Sequence, residues 1–372
     1  MLNPTRLMAV TRKEVLQLRR DIRSLILAFL LPVLLVVLFG YAISWDVKDI
    51  QTAVLDQDGS ARSRELLDAF RSSGYFRLTA RLDRPSEIAP LLDRGAVRIA
   101  LVIPPGFASD LDAGRTAELQ AIADGSDANT ATIALAYARA IVQSYSTRIA
   151  LSGRWGTPPI VSRTRVWYNE ELSSKNMIVP GLVAVIMMII AAMLTSLTIA
   201  REWERGTMEQ LAATPVSRVE VVLGKLLPYL GIGLIDVVVV SLVGVFLFGV
   251  PFRGNAALLM MLSLAFLIGA LGMGIFISAV ARSQLLATQL AMVATFLPAF
   301  LLSGFMYDVK VMPKALQALT YLVPARYFLV VTRGIFLKGV GIDVLRMQGL
   351  LMIAFAVVGL IAATWVFRKE IR

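Results

Sequence analysis

The chain has 372 residues, 57% of them apolar, with a mean hydropathy of +0.71 and a formal net charge of +11. That apolarity is too high for a soluble globular protein and points to an integral membrane protein. Cysteine and histidine are both absent, which excludes disulfides, Cys/His metal sites, a Ser-His-Asp triad and a Cys nucleophile, and says nothing about redox compartment.

Residues 1–23 carry Arg6, Arg12, Lys13, Arg19, Arg20 and Arg23, with Leu7, Val10, Val15 and Leu18 loosely at helical spacing. They read as a cytoplasmic amphipathic helix at the membrane interface. The apolar run 24–44 follows and is long enough to span, with a kink expected at Pro32. A cleaved signal peptide is the competing reading, since Ala42-Ile43-Ser44 has small residues at the right offsets. The run is longer than an ordinary signal core and its basic lead is extended, which favours the span.

Residues 45–176 change character. They hold 16 basic and 16 acidic residues, so the whole +11 belongs to the rest of the chain. Strand signals at 52–56, 75–82, 97–107 and 117–125 alternate with helical stretches at 61–73, 85–94 and 127–152. Ser86 is an expected N-cap, and Pro104-Pro105 an expected strand end. The order β-α-β-α-β suggests a compact α/β domain with its own core.

Five further apolar runs lie near 177–200, 226–250, 256–281, 285–305 and 348–367, which makes six spans with 24–44. An even number puts both termini on one side. Segments 1–23, 201–225, Arg282 and 368–372 hold 14 basic residues, which makes that side cytoplasmic. The α/β domain between the first and second spans is then extracytoplasmic. Segment 306–347 should also be outside, yet it carries six basic residues and two apolar stretches too short to cross, punctuated by Pro313 and Pro324. It reads as two re-entrant helices in the outer leaflet, with basic side chains reaching the headgroups; an extra pair of half-spans is the alternative and leaves the parity unchanged. The basic excess as a whole fits positive-inside topology and lipid contact; nucleic-acid binding would need a basic face on a soluble module.

The polar stretch 200–228, AREWERGTMEQLAATPVSRVEVVLGKLLP, separates two of these runs. Thr207 with Gln210 fits a capping box, and so does Ser217 with Glu220, so two helices should start here around a break at Pro215. A mere linker has no use for that, and the segment reads as a docking element for a soluble partner. Glu202, Glu204, Glu209 and Glu220 can steer such a partner, and Met208, Leu211 and Ala212 offer it an apolar anchor. The alternative for the carboxylates is a solvated face.

No phosphate-binding loop is present: Gly224-Lys225 is followed by Leu226, and no glycine stands five residues before Gly224. ATP hydrolysis, if used, belongs to another polypeptide. Asp236 is the acid well inside a span, where a charge costs about 2.5–3.5 kcal/mol. It is either a substrate or proton contact or a helix-to-helix hydrogen bond. Gln284, Thr288 and Gln289 either line a pathway or bond a neighbouring helix. Gly269, Gly272 and Gly274 make one span small-sided, as close helix packing requires. Met187-Met188 and Met260-Met261 read as lipid-facing or core filler.

The pattern Arg201-Glu202-x-Glu204-x-Gly206-Thr207-x-Glu209-x-Leu211-x-x-x-Pro215 resembles the cytoplasmic loop of ABC-2 type exporter permeases. Leu302-Ser303-Gly304-Phe305-Met306 through Met312-Pro313, Tyr321-Leu322-x-Pro324-x-Arg326-Tyr327-Phe328 and Arg333 to Gly339 are similar to that family's segment after the fifth span. Val54-Leu55-Asp56-x-Asp58-Gly59-Ser60, Ile103-Pro104-x-Gly106-Phe107 and Asp124-Gly125-Ser126 resemble its external domain. The likeness runs from about residue 10 to the C-terminus.

The resemblance implies a mainly α membrane protein with six transmembrane helices and an inserted extracytoplasmic α/β domain. It implies a bacterial inner-membrane transport subunit, not an enzyme, moving substrate outward. It further implies two cytoplasmic ABC ATPase subunits carrying the ATP and a second permease, identical or a paralogue. Membrane lipids and, in some systems, a periplasmic adaptor are implied as well. Residues 201–215 would be the coupling helix. The other reading is a membrane-anchored extracytoplasmic binding or assembly protein without transport; a membrane hydrolase lacks a nucleophile–base pair.

Overall fold

The computed structural model describes residues 3–43, 49–126, 128–152 and 173–367. The basic tail at 368–372 lies outside them, and the side chains of Arg23 and Ala212 are not described. The chain divides into two compact units: one of Met1–Ser44 with Val166–Arg372, the other of Trp45–Arg165.

The second unit is a mixed sheet covered by helices. Its elements are β1 (Ile50–Asp56), α3 (Ala61–Ser72), β2 (Phe76–Leu82), α4 (Ile88–Asp93), β3 (Ile99–Ile103), α5 (Phe107–Asp112), β4 (Gln120–Ala123) and α6 (Ala128–Ser152). The strand order is β2-β1-β3-β4. β1 runs parallel to both β2 and β3, and β4 runs antiparallel to β3. The parallel crossovers need helices, which α3 and α4 supply. Alternation along the strands sorts side chains to two faces. Ile99, Leu101 and Ile103 pack with Leu66, Phe70 and Ala134 on one face, while Ala53, Leu55, Leu82 and Ile88 pack on the other. Ser86 is not an N-cap; it sits inside a 3₁₀ turn, Pro85–Glu87, whose cap position is Arg84. The proline ring presets that first turn, so no serine cap is required. The strand expected at 97–107 stops at Ile103, directly before Pro104-Pro105 as expected, and Gly106 at φ +85 then opens α5.

The helical unit contains α1 (Pro4–Arg20), α2 (Ile22–Ala42), α7 (Ser174–Glu204), α8 (Met208–Ala213), α9 (Arg218–Phe246), α10 (Ala256–Ala281), α11 (Gln284–Leu297), α12 (Lys314–Thr320), α13 (Pro324–Arg333) and α14 (Ile342–Val366). A π-helical turn, Pro298–Leu302, prolongs α11, and another, Gly334–Lys338, prolongs α13. Among the described residues, five helices are long and apolar enough to cross a bilayer: α7, α9, α10, α11 with its π turn, and α14. α12 and the prolonged α13 form one further apolar pair bent by 77°. α2 is a shorter apolar helix over Ala28–Ala42 by the same measure. The chain is a multi-pass membrane protein.

α7 is the central helix, with 89% of its apolar window buried. Close approach around it rests on small residues. A Cβ at Gly272 would stand 2.9 Å from the Gly359 carbonyl carbon, so α10 and α14 meet backbone to backbone. Thr195 Oγ1 donates to the Leu271 carbonyl at 2.9 Å, and Ser278 Oγ accepts from the amides of Ile199 and Ala200 at 2.9 Å, which tie α7 to α10.

Candidate functional site: the 201–225 segment and its ion network

α7 ends at Glu204, and the chain turns through Gly206 at φ +66, a left-handed conformation open to glycine at little cost. α8 follows, and after Pro215 the chain enters α9. Ser217 and Glu220 form the expected capping box. The box expected at Thr207 and Gln210 does not form. Thr207 has helical backbone angles, φ −81 and ψ −4, and its hydroxyl donates to Glu202 instead. An N-cap needs extended backbone angles to aim its oxygen at the amide three residues on, and Thr207 lacks them.

The carboxylates divide by environment. Glu202 is 3% exposed and takes Lys13 Nζ at 2.8 Å and Lys225 Nζ at 3.2 Å. Lys225, itself buried, also holds Glu14 at 3.0 Å, and Tyr229 donates its hydroxyl to Glu14 at 3.2 Å. Arg201 pairs with Asp21 at 3.0 Å, just past α1. The Asn3 amide donates to Glu220 at 2.7 Å, and Arg6 donates to the Pro215 carbonyl at 2.5 Å. α1 is therefore clamped along the whole segment. Its buried positions Val10, Glu14 and Leu18 lie on the side that meets α9, where a Cβ at Gly224 would stand 2.7 Å from Val10 Cγ1. Glu14, Glu202, Lys225 and Arg201 each have a counter-charge, as the low-dielectric interior demands.

Glu204 is exposed and accepts from the Gln284 amide at 2.7 Å and from the Gln284 side chain. It thereby caps α11 from another helix. Glu209 and Pro215 are exposed. Met208 is 3% exposed and Leu211 9%, so they anchor α8 to its own bundle and leave the opposite face free.

The structure does not bring the four pathway residues together. Gln284 joins Glu204 at the α7 end, and Thr288 bonds the Gln284 carbonyl at 2.8 Å. Gln289 is exposed. Asp236 is buried inside α9, and its Oδ2 has no hydrogen-bond partner among the described residues. Sequence reasoning missed Lys13, Glu14, Asp21, Lys225 and Tyr229. One signal was available: Glu14 is the lone acid in a strongly basic helix.

The opposite end of the helical unit is built differently. Arg333 Nε donates to the Met177 carbonyl at 3.1 Å, the Arg253 amide donates to the Phe336 carbonyl at 3.0 Å, and Phe305 packs against Gly181. Segment 306–347 contributes at this end, away from 201–225.

The profile of the ABC-2 family transporter proteins matches residues 22–365. The chain belongs to the ABC-2 transporter family. It is 38% identical over 367 residues to the Escherichia coli (strain K12) protein named "Probable multidrug ABC transporter permease YbhS", covering 98% of this chain and 97% of that one. It is 34% identical over 343 residues to "Probable multidrug ABC transporter permease YbhR" of the same organism, covering 91% and 92%. It is 28% identical over 326 residues to the "Inner membrane transport permease YhhJ", covering 86% and 85%. In this ABC-2 transporter, the loop that carried the resemblance is the one α1 grips.

Proposed function

We propose that this ABC-2 protein is the permease subunit of an ABC exporter, driven by a separate cytoplasmic ATPase that bears on the exposed face of α8. The observation that carries the reading is the mounting of α8. Met208 and Leu211 on its inner face are buried and Thr207 is hydrogen-bonded to Glu202, while Glu209 and Pro215 stay exposed. A push on such an element moves the bundle rather than deforming a loop. α7, with 31 residues, is about 46 Å long and carries the displacement from Glu202 to the Met177–Arg333 contact at the far end.

In this reading α2 completes six spans, both termini are cytoplasmic, and the protein sits in a bacterial inner membrane. The α/β domain, 45–176, is extracytoplasmic, and 306–347 forms the outer re-entrant pair. ATP binds the partner subunit and not this chain. A second permease, identical or a paralogue, completes the pathway. Asp236 faces that pathway, and a periplasmic adaptor engages the external domain where such a system uses one. The relatives named for multidrug export point to small organic substrates.

The test is copurification of an ATPase subunit, followed by transport in vesicles with the Glu204→Lys and Gly206→Pro variants. Both variants should insert normally, keep the ATPase bound more weakly, and lose transport. Undiminished transport in both would return the protein to the class of membrane anchors.

A further inference from the structure

The cleft between the α1–α2 junction and the α7–α11 corner has a volume of about 920 Å³. Four cations line it, Lys13, Arg20, Arg201 and Arg205, against one acid, Asp21. Lys13 and Arg201 are already paired, with Glu202 and Asp21. Arg20 and Arg205 are exposed and make no ion pair among the described residues. Positive charge is therefore left over in a concave place. Guanidinium groups match phosphate oxygens two at a time, which makes them the natural partners of that anion.

The other wall is apolar, formed by Leu16, Ile22 and Leu197. Ile22 begins α2, Gln284 begins α11 and Arg201 lies in the last turn of α7, so the cleft sits where three apolar helices start or stop. That is the depth of a lipid headgroup. From the cleft, α2 presents Ile26, Leu30, Leu34 and Leu38, all about half exposed and spaced at i,i+4, as a track for an acyl chain. A free phosphate would use the arginines and gain nothing from the track.

We infer that this cleft binds the phosphate headgroup of an anionic bilayer lipid, held by Arg20 and Arg205. Because Arg201 and Arg205 also lie just before the turn into α8, the lipid braces that turn against α1.

The full-length protein in detergent tests it, by native mass spectrometry and thermal unfolding with phosphatidylglycerol, phosphatidylcholine or inorganic phosphate added. Phosphatidylglycerol should bind and raise Tm; the other two should not. Removing two charges, Arg20→Gln with Arg205→Gln, should weaken that binding about 30-fold and leave the lipid-free Tm unchanged. Arg12→Gln with Arg19→Gln removes the same charge from exposed positions of α1 outside the cleft and should bind as the wild type does. Equal loss in both pairs, no loss in the first, or equal protection by inorganic phosphate would each overturn the proposal.

Discussion

Lys225 Nζ stands 3.0 Å from Glu14 Oε2, both side chains 3% exposed, and joins positions 211 apart in the chain. The same ammonium reaches Glu202 at 3.2 Å, so one buried cation serves carboxylates from α1 and α7. Truncating one partner strands the others. Lys225→Ala should destabilise the protein by about 3–5 kcal/mol, whereas Lys225→Met combined with Glu14→Gln and Glu202→Gln should recover most of the loss. Thermal unfolding in detergent measures both. A single variant as stable as the wild type would show that the network contributes nothing.

Gly206 stands at φ +66, and a Cβ added there would meet nothing within 4 Å, so any cost of a side chain is conformational. Gly206→Ala should cost about 1 kcal/mol, and Gly206→Asn less, because asparagine tolerates that region. The unfolding midpoints of the two variants decide it; the reverse order would contradict the backbone argument.

Two glycines, Gly359 at the α10–α14 crossing and Gly231 on α9, should respond to alanine in opposite directions. At Gly359 a Cβ would lie 2.8 Å from the Gly269 carbonyl oxygen, a backbone atom that cannot step aside. Gly359→Ala should destabilise by about 1–3 kcal/mol. Gly231 on α9 is exposed and meets nothing within 4 Å, so Gly231→Ala should stabilise by up to about 1 kcal/mol. Melting temperatures moving in the same direction would show that packing does not govern these sites.

In the α/β unit, Asp58 accepts from the amides of Gly106 at 3.0 Å and Ala108 at 3.2 Å. A hydrogen bond from the Ser60 side chain is the main force holding its carboxyl below the usual value, and these amides add to it. A depressed pKa in the folded state stabilises above the unfolded pKa, near 3.9, and the benefit disappears as pH falls through the folded value. Wild-type stability should therefore drop as pH is lowered below about 4. Asp58→Asn should be less stable at pH 7 and show a smaller drop on acidification. Unfolding of the full chain across pH 2–7 measures this, and parallel curves for the two proteins would refute it.

Much of the local architecture is written in the sequence. The strand and helix stretches between 52 and 152 emerge as β1 to β4 with α3, α4 and α6, because alternation and helical spacing are properties of neighbouring residues, whereas the short α5 was not expected. The Ser217–Glu220 box is legible for the same reason: both groups lie within one turn. Thr207 departs from its expected box because its backbone is helical rather than extended, and its hydroxyl turns to Glu202, which is buried by contacts that no neighbour announces.

The apolar runs by themselves determined that this is a membrane protein, and the loop pattern together with the motifs at 302–339 and in the α/β domain pointed to its family. Only the tertiary structure decided which charges meet. It turned Met208 and Leu211 inward, paired Glu204 with Gln284, left Asp236 Oδ2 unpartnered among the described residues, and drew Glu14, Lys225 and Glu202 into one cluster. Periodicity reports which side of a helix is buried, but a buried charge takes its partner from whichever helix packs against it, and that packing is set by the whole assembly of spans.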